Sequence, residues 1–387
     1  MTTPATTTRN AHGAPAGITL VTRERAESRL HDLMRTGPDV AAATFDSIRA
    51  MAVVDTVLPI GKNGNGNRPE IAYDDGANKV AIVYGGTPRY LHDNAAFQLG
   101  ERLDIPGGWV RESLKSAQPW RRELIATTLQ TTIQNHGARE RMLFRSVGNE
   151  VRGALSDKYR RLDSTLIAES FASALEKVGA VPYRASIDDL RWSVDALLPR
   201  VLEIKMPNGD TDYTVMAARL RTSDFGVGQL ELALEILRLV CINGAIAMSS
   251  LKQVHLGRAL PDNVQFSDAT YLLDTKTQAS AINDAVSQLM TEDSVARTID
   301  TANAAANDVL EDDVVTKLVK ARRISVAEAE SLNTTFAGGD AAKVPSGPMT
   351  RWKLAQGLSW ISKNADTDRA EELERMAGAN VWATAAN

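Results

Sequence analysis

The sequence predicts an α+β fold: a central antiparallel sheet followed by a packed helix, flanked by N-terminal and C-terminal helical regions. Strand candidates run from about residue 188 to 234 around an Asn208-Gly209 pair, the signature of a tight hairpin, and the last of them, "QLELAL", alternates apolar and polar side chains. Apolar positions before about residue 50 and after about 267 instead recur at helical spacing. No fixed repeat period is visible, which excludes a solenoid or propeller.

In chain order, residues 1–20 read as a Thr/Ala/Pro/Gly-rich disordered leader without the apolar core of a signal peptide. Val21–Ala50 reads as a helix, a turn at "TGPDV" and a second short helix. The Gly/Asn cluster "GKNGNGN" separates short β runs, Glu70–Tyr73 and Lys79–Tyr84, into hairpins. "AAFQLGERLDIPGGWVRESL" reads as helix, turn, helix, and Pro119 and Gly137 bracket a further helix. Met142–Val147 and Val151–Leu155 are β candidates, and Ser164–Val178 is an amphipathic helix, closing an N-terminal region over 21–180. The sheet region spans 181–260, and a helix is expected from Glu235 to the Asn243-Gly244 stop. An acidic helical region (261–335), a linker (336–348) and C-terminal helices (349–387) complete the chain.

The 387 residues are 43% hydrophobic and 24% charged, enough to bury a sizeable core. A single cysteine excludes an intrachain disulfide framework and cysteine-rich metal sites, and suits a reducing, cytoplasmic setting. No apolar run reaches the length of a membrane span. The net charge of −4 conceals a polarity along the chain. Arg102–Arg161 holds 12 Lys/Arg against 6 Asp/Glu, and Asp262–Asp313 holds 2 against 11. Two readings follow: a face that binds polyanions, or two segments that neutralise each other.

Several chemistries find little support. Cys241, near the end of the expected helix and among apolar neighbours, reads as a buried thiol; Arg238 is the only nearby group that could activate it. The five histidines lack metal-ligand spacing, so no metal or other cofactor is expected. "GKNGNGN" leads into Pro69 and a β run, unlike a phosphate loop entering a helix. The pairs Asp74-Asp75, Asp188-Asp189 and Glu311-Asp312-Asp313 adjoin turns; with His255 they support a metal-dependent nuclease as the runner-up. The basic segment is the leading candidate. Arg139, Arg141, Arg145, Arg152, Lys158, Arg160 and Arg161 interleave with Phe144 and Tyr159, the mixture of cations and aromatic faces that single-strand binders use. Arg219 and Arg221, at the end of an expected strand, would extend that surface. No catalytic residue is singled out.

"FQLGERLDIP", "VRGALSDKYRRLD", "SDFGVGQLEL" running into "RLVCINGAI", then "HLGR" and a last helix with "LERMAG" occur in that order over residues 80–380. In these landmarks the chain resembles a large family of phage-, plasmid- and prophage-encoded proteins that carries a domain of unknown function. The resemblance gives Ser223, Gly226, Arg238, Cys241, Asn243, Gly244, His255 and Arg258 structural roles and implies a mobile-element setting. By analogy of fold, the core resembles that of phage single-strand annealing recombinases. The analogy implies a non-catalytic homo-oligomer that binds single-stranded DNA for recombination. A structural protein of the element, without nucleic acid, is the remaining alternative.

Overall fold

A computed structural model describes residues 22–60, 68–135, 140–239, 243–253, 267–338 and 343–383. The leader, "GKNGNGN", His136, Gly137, Arg139, Cys241, His255 and Arg258 lie outside the described residues.

The fold is α+β and has two six-stranded sheets. The first consists of β1 (Val53–Ile60), β2 (Glu70–Asp74), β3 (Lys79–Tyr84), β4 (Thr87–Leu91), β5 (Glu140–Val147) and β6 (Glu150–Ser156). Its order is β1-β5-β6-β4-β3-β2, antiparallel except where β4 runs parallel to β6. The expected β runs over 70–84 and 142–155 fall within these strands. Helices α2 (Asp93–Arg102), α3 (Gly107–Lys115) and α4 (Pro119–Asn135) share an apolar core with this sheet, including Leu99, Val110, Ile125, Leu129 and Phe144. Pro119 starts α4, where its missing N–H costs no helical bond.

The second sheet contains β7 (Val181–Ile187), β8 (Trp192–Leu197), β9 (Leu202–Lys205), β10 (Thr211–Thr222), β11 (Leu230–Arg238) and β12 (Asn243–Gln253). It is antiparallel, in the order β12-β11-β10-β8-β7, with β9 paired to β10. The β9–β10 turn has Gly209 at φ +85°, as the Asn-Gly signal requires. Leu230, Leu232 and Leu234 enter a core formed with α1 (Arg23–Ala50), α5 (Ser164–Val178) and α6 (Asp268–Leu289). Asp163 caps α5, and Gly179, left-handed at φ +68°, ends it.

Two expectations are corrected. Residues from Glu235 onward do not form a helix: Glu235–Arg238 completes β11, and Asn243 and Gly244 open β12 instead of stopping a helix. A short, largely apolar run fits a fully buried strand as well as a helix, and every residue of β11 is buried, with Glu231, Glu235 and Arg238 held in ion pairs. Likewise α1 is one helix through Gly37-Pro38. A Cβ at Gly37 would lie 2.2 Å from the Pro182 carbonyl oxygen, so glycine allows the helix backbone onto β7. That contact offsets the hydrogen bond Pro38 cannot donate. The 21–180 region is accordingly divided, with α1 and α5 packing on the second sheet and α2–α4 on the first.

After α6 come α7 (Glu292–Asn307), α8 (Val314–Lys320), α9 (Val326–Ala337), α10 (Arg351–Ile361) and α11 (Thr367–Trp382). Among the described residues no helix is long and apolar enough to cross a membrane.

Candidate functional site

The described residues of the basic segment do not form one cationic groove. Arg145, on β5 directly opposite Asp55 of β1, is 6% exposed and donates through Nε to Asp55 at 2.8 Å. Its other end donates to the Asp224 carbonyl at 2.7 Å. Arg152 bonds Glu150 at 3.1 Å and reaches the Asp189 carboxylate at 3.3 Å. Arg160 pairs with Asp274 through two hydrogen bonds. Arg161 lies 3.5 Å from Asp55 and 3.7 Å from Asp268. Asp268 and Asp274 belong to the acidic segment, so Arg160 and Arg161 follow the reading in which the two charge blocks neutralise each other. Arg141 is exposed on β5 and Lys158 is half-buried.

The aromatic residues expected to stack on bases are interior. Phe144 is fully buried and stacks on Tyr84, their centroids 6.4 Å apart. Tyr159 is buried, its hydroxyl 3.5 Å from the Ser223 carbonyl, and burial raises its phenol above the ordinary range. Neither ring presents a face to a strand, which corrects their expected role.

The landmarks separated in sequence meet at the loop 223–229. Gln98 of "FQLGERLDIP" donates to the Phe225 carbonyl at 2.9 Å and accepts from Ala154 of β6. Arg145 and Tyr159 approach the same loop from the other side. Ser223 donates to the Leu190 carbonyl and accepts from the Phe225 amide. Gly226 sits at φ +77°, where a Cβ would come 2.5 Å from Leu155 Cδ2. Beside this loop opens a cleft of about 410 Å³ between β1, β5, α5 and α6, in which Arg145, Arg161, Asp55, Asp224 and Tyr271 take part. Burial pushes the Asp224 carboxyl up, opposed by Arg145.

Arg219 and Arg221 lie in a second cleft of about 390 Å³, between the second sheet and α11. Buried Arg219 donates to Asp195 at 3.0 Å, Glu374 at 3.0 Å and Glu235 at 3.3 Å. Arg184 also pairs with Asp195 and with Glu235, at 3.3 Å, and Tyr183 donates to Glu235 at 2.8 Å. Three carboxyl groups thus share two guanidiniums. Burial, partly opposed by Arg184, pushes both Asp195 and Glu374 up to about 7. Further out, Arg221 pairs with Glu371, and Arg375 with Glu231. Glu374 and Arg375 are the charged pair in "LERMAG"; the landmark marks where α11 is tied to the sheet.

Arg238 is 1% exposed and donates to both oxygens of Asp212, at 2.7 and 2.8 Å, while Trp352 donates to Asp212 at 2.9 Å. The acidic pairs of the nuclease reading serve local structure. Asp74 accepts from the Ala77 amide and the Tyr90 hydroxyl, Asp188 accepts from two amides of its own turn, and Lys317 bridges Glu311 and Asp313. Among the described residues no three His, Cys, Asp or Glu side chains are grouped to hold a metal ion.

Two indoles outside the motifs and the arginine cluster face solvent. Trp120 and Trp109 are exposed, at 54% and 37%, on the adjoining helices α4 and α3. Exposed Arg111 and Lys115 accompany them, and the Arg121 guanidinium lies over the Trp120 ring, 5.4 Å from its centroid. The signal was in the periodicity. Ile125, Leu129 and Ile133 define the inward stripe of α4, and Trp120 lies off it.

Comparison of the chain with protein-family models, curated proteins and solved structures finds no match.

Proposed function

We propose that the chain is a mobile-element protein that binds single-stranded nucleic acid through the α3–α4 face, without covalent chemistry, as an annealing homo-oligomer. The observation that carries this reading is two exposed indoles, Trp109 of α3 and Trp120 of α4, on adjoining helices that also carry Arg111, Lys115 and Arg121. Indole rings offer sequence-tolerant stacking surfaces, and the cations neutralise phosphates between stacked bases. The interaction surface thereby moves toward the N-terminus from Arg139–Arg161, where Arg145, Arg152, Arg160 and Arg161 are held in ion pairs. The setting in a phage, plasmid or prophage rests on the order of the sequence landmarks; the analogy behind annealing keeps the antiparallel strands but not the packed helix, whose place β12 takes.

The test is a fluorescence titration with an oligo-dT strand at several salt concentrations. Each stacked base contributes about 1–3 kcal/mol. Trp120→Ala should therefore weaken binding by roughly 5- to 150-fold, and Trp109→Ala by a similar factor. Replacing Arg111, Lys115 and Arg121 together should flatten the slope of log K against log salt by about 2, at roughly 0.7 per phosphate contact. Absence of binding at low salt would exclude the proposal and favour a structural protein. Magnesium-dependent loss of the strand would favour a nuclease.

A further inference from the structure

We infer that the cleft between β1, β5, α5 and α6 is a binding site for a guanine base. The proposal is separate from strand binding on α3–α4 and shares no residue with that face.

The chemistry of the lining excludes the simpler ligands. Asp55, Asp163, Asp224 and Asp268 outnumber Arg49, Arg145 and Arg161, so a free anion would meet net repulsion. A bare metal ion lacks a grouped ligand set among the described residues. The lining instead suits a neutral, planar molecule that both donates and accepts. The volume, about 410 Å³, is that of a small-molecule pocket.

The acceptors are Asp55, on the β1 edge of the cleft, and Asp224, from the loop where the sequence landmarks converge. Arg145 uses only part of the lone-pair capacity of these two carboxyl groups. The donor is Arg161. Its Nε is buried and hydrogen-bonds to no group among the described residues, although Asp55 lies 3.5 Å away. A buried N–H that meets its carboxylate only as an ion pair at 3.5 Å gains a hydrogen bond from a ligand acceptor. The Arg161 guanidinium also lies over the Tyr271 ring, 4.6 Å from its centroid, which places a planar cation and an aromatic ring together in the lining. Leu272 adds apolar surface and is 44% exposed.

Guanine matches this set better than the other bases. Its ring N–H and exocyclic amine are adjacent donors for a carboxylate, and O6 and N7 are acceptors for a guanidinium. Adenine has no ring N–H donor on that edge, and thymine has no exocyclic amine. The base could be supplied by a free nucleoside, or by one residue of a bound strand whose phosphates stay outside the cleft; the recognition chemistry is the same.

The experiment is saturation-transfer NMR and calorimetry on the full chain with guanosine, adenosine, cytidine and thymidine. Guanosine should bind at least tenfold more tightly than the other three. Tyr271→Ala, Arg161→Ala and Leu272→Trp should each weaken it at least tenfold. Leu272→Trp obstructs the cleft from a part-exposed position and is expected to keep the wild-type Tm, so loss of binding there is not loss of folding. The Trp109→Ala/Trp120→Ala variant should bind guanosine normally, which separates this site from the strand-binding face. No guanosine binding up to millimolar concentration, or binding unchanged in both Leu272→Trp and Tyr271→Ala, would overturn the inference. With guanosine binding established, a dT tract carrying one dG that outbinds all-dT only in the wild type identifies a strand base as the source. Equal binding of the two strands identifies the free nucleoside.

Discussion

Arg238 and Asp212 show how a buried ion pair ties three elements together. The pair is buried, and Asp212 also holds the indole N–H of Trp352, so one carboxylate connects β10, β11 and α10. Removing Arg238 leaves the Asp212 carboxylate buried without its cation, which costs about 3–5 kcal/mol. Arg238→Ala should therefore lower the unfolding free energy by about that amount in a denaturant titration, and Asp212→Ala by a similar amount. The double variant should cost less than the sum of the two. Gly226 makes a second prediction. At φ +77°, with Leu155 in the space a Cβ would take, Gly226→Ala should destabilise by about 1–3 kcal/mol in the same titration.

At the scale of elements, α11 is held on the second sheet by charge as well as by packing. Asp195 and Glu374 have their acid groups raised to about 7, so the folded protein binds protons that the unfolded chain releases near pH 4. Their contribution to stability is fully present below the unfolded values and is lost as pH rises through about 7. With three carboxyl groups sharing two guanidiniums, the stability change should correspond to about one proton, a slope near 1.4 kcal/mol per pH unit at its steepest. Glu374→Gln should flatten this limb in thermal melts between pH 5 and 8. Glu328 acts in the opposite direction. Hydrogen bonds from Arg369 hold its carboxyl down at about 2, so the α9–α11 contribution is present above pH 4.5 and is lost as pH falls toward 2. The melting temperature should therefore peak in mildly acidic buffer and decline on both sides. A peak above pH 8 would contradict this assignment.

At the scale of the molecule, the two opposed charge blocks meet through Arg160–Asp274 and Arg161–Asp268, which join the loop after β6 to α6. Exchanging Arg160 and Asp274 should restore most of the stability that Arg160→Ala removes and leave strand binding unchanged, as read by denaturant titration and fluorescence. A loss of strand binding with stability retained would return the interface to the Arg139–Arg161 segment.

The elements legible in the sequence were those with local signals. They include the Asn208-Gly209 hairpin, the Pro119 helix start, the capped amphipathic α5 and the paired β5 and β6. Local patterning failed where both faces of an element are covered. The end of β11 from Glu235 reads as a helix because its sequence sets no strand period, and α1 reads as two helices because Gly37-Pro38 is a stop signal unless β7 lies against it. The candidate sites divide in the same way. The sequence by itself determined the α+β class, the opposed charge blocks and the landmark residues. Only the tertiary structure decided that most of those arginines support the fold, that the indoles of α3 and α4 are exposed, and that Asp55, Asp224, Arg161 and Tyr271 share one cleft. The physical reason is that charge and periodicity are carried by neighbouring residues, whereas partners and exposure depend on residues more than a hundred positions apart, as Arg160 and Asp274 are.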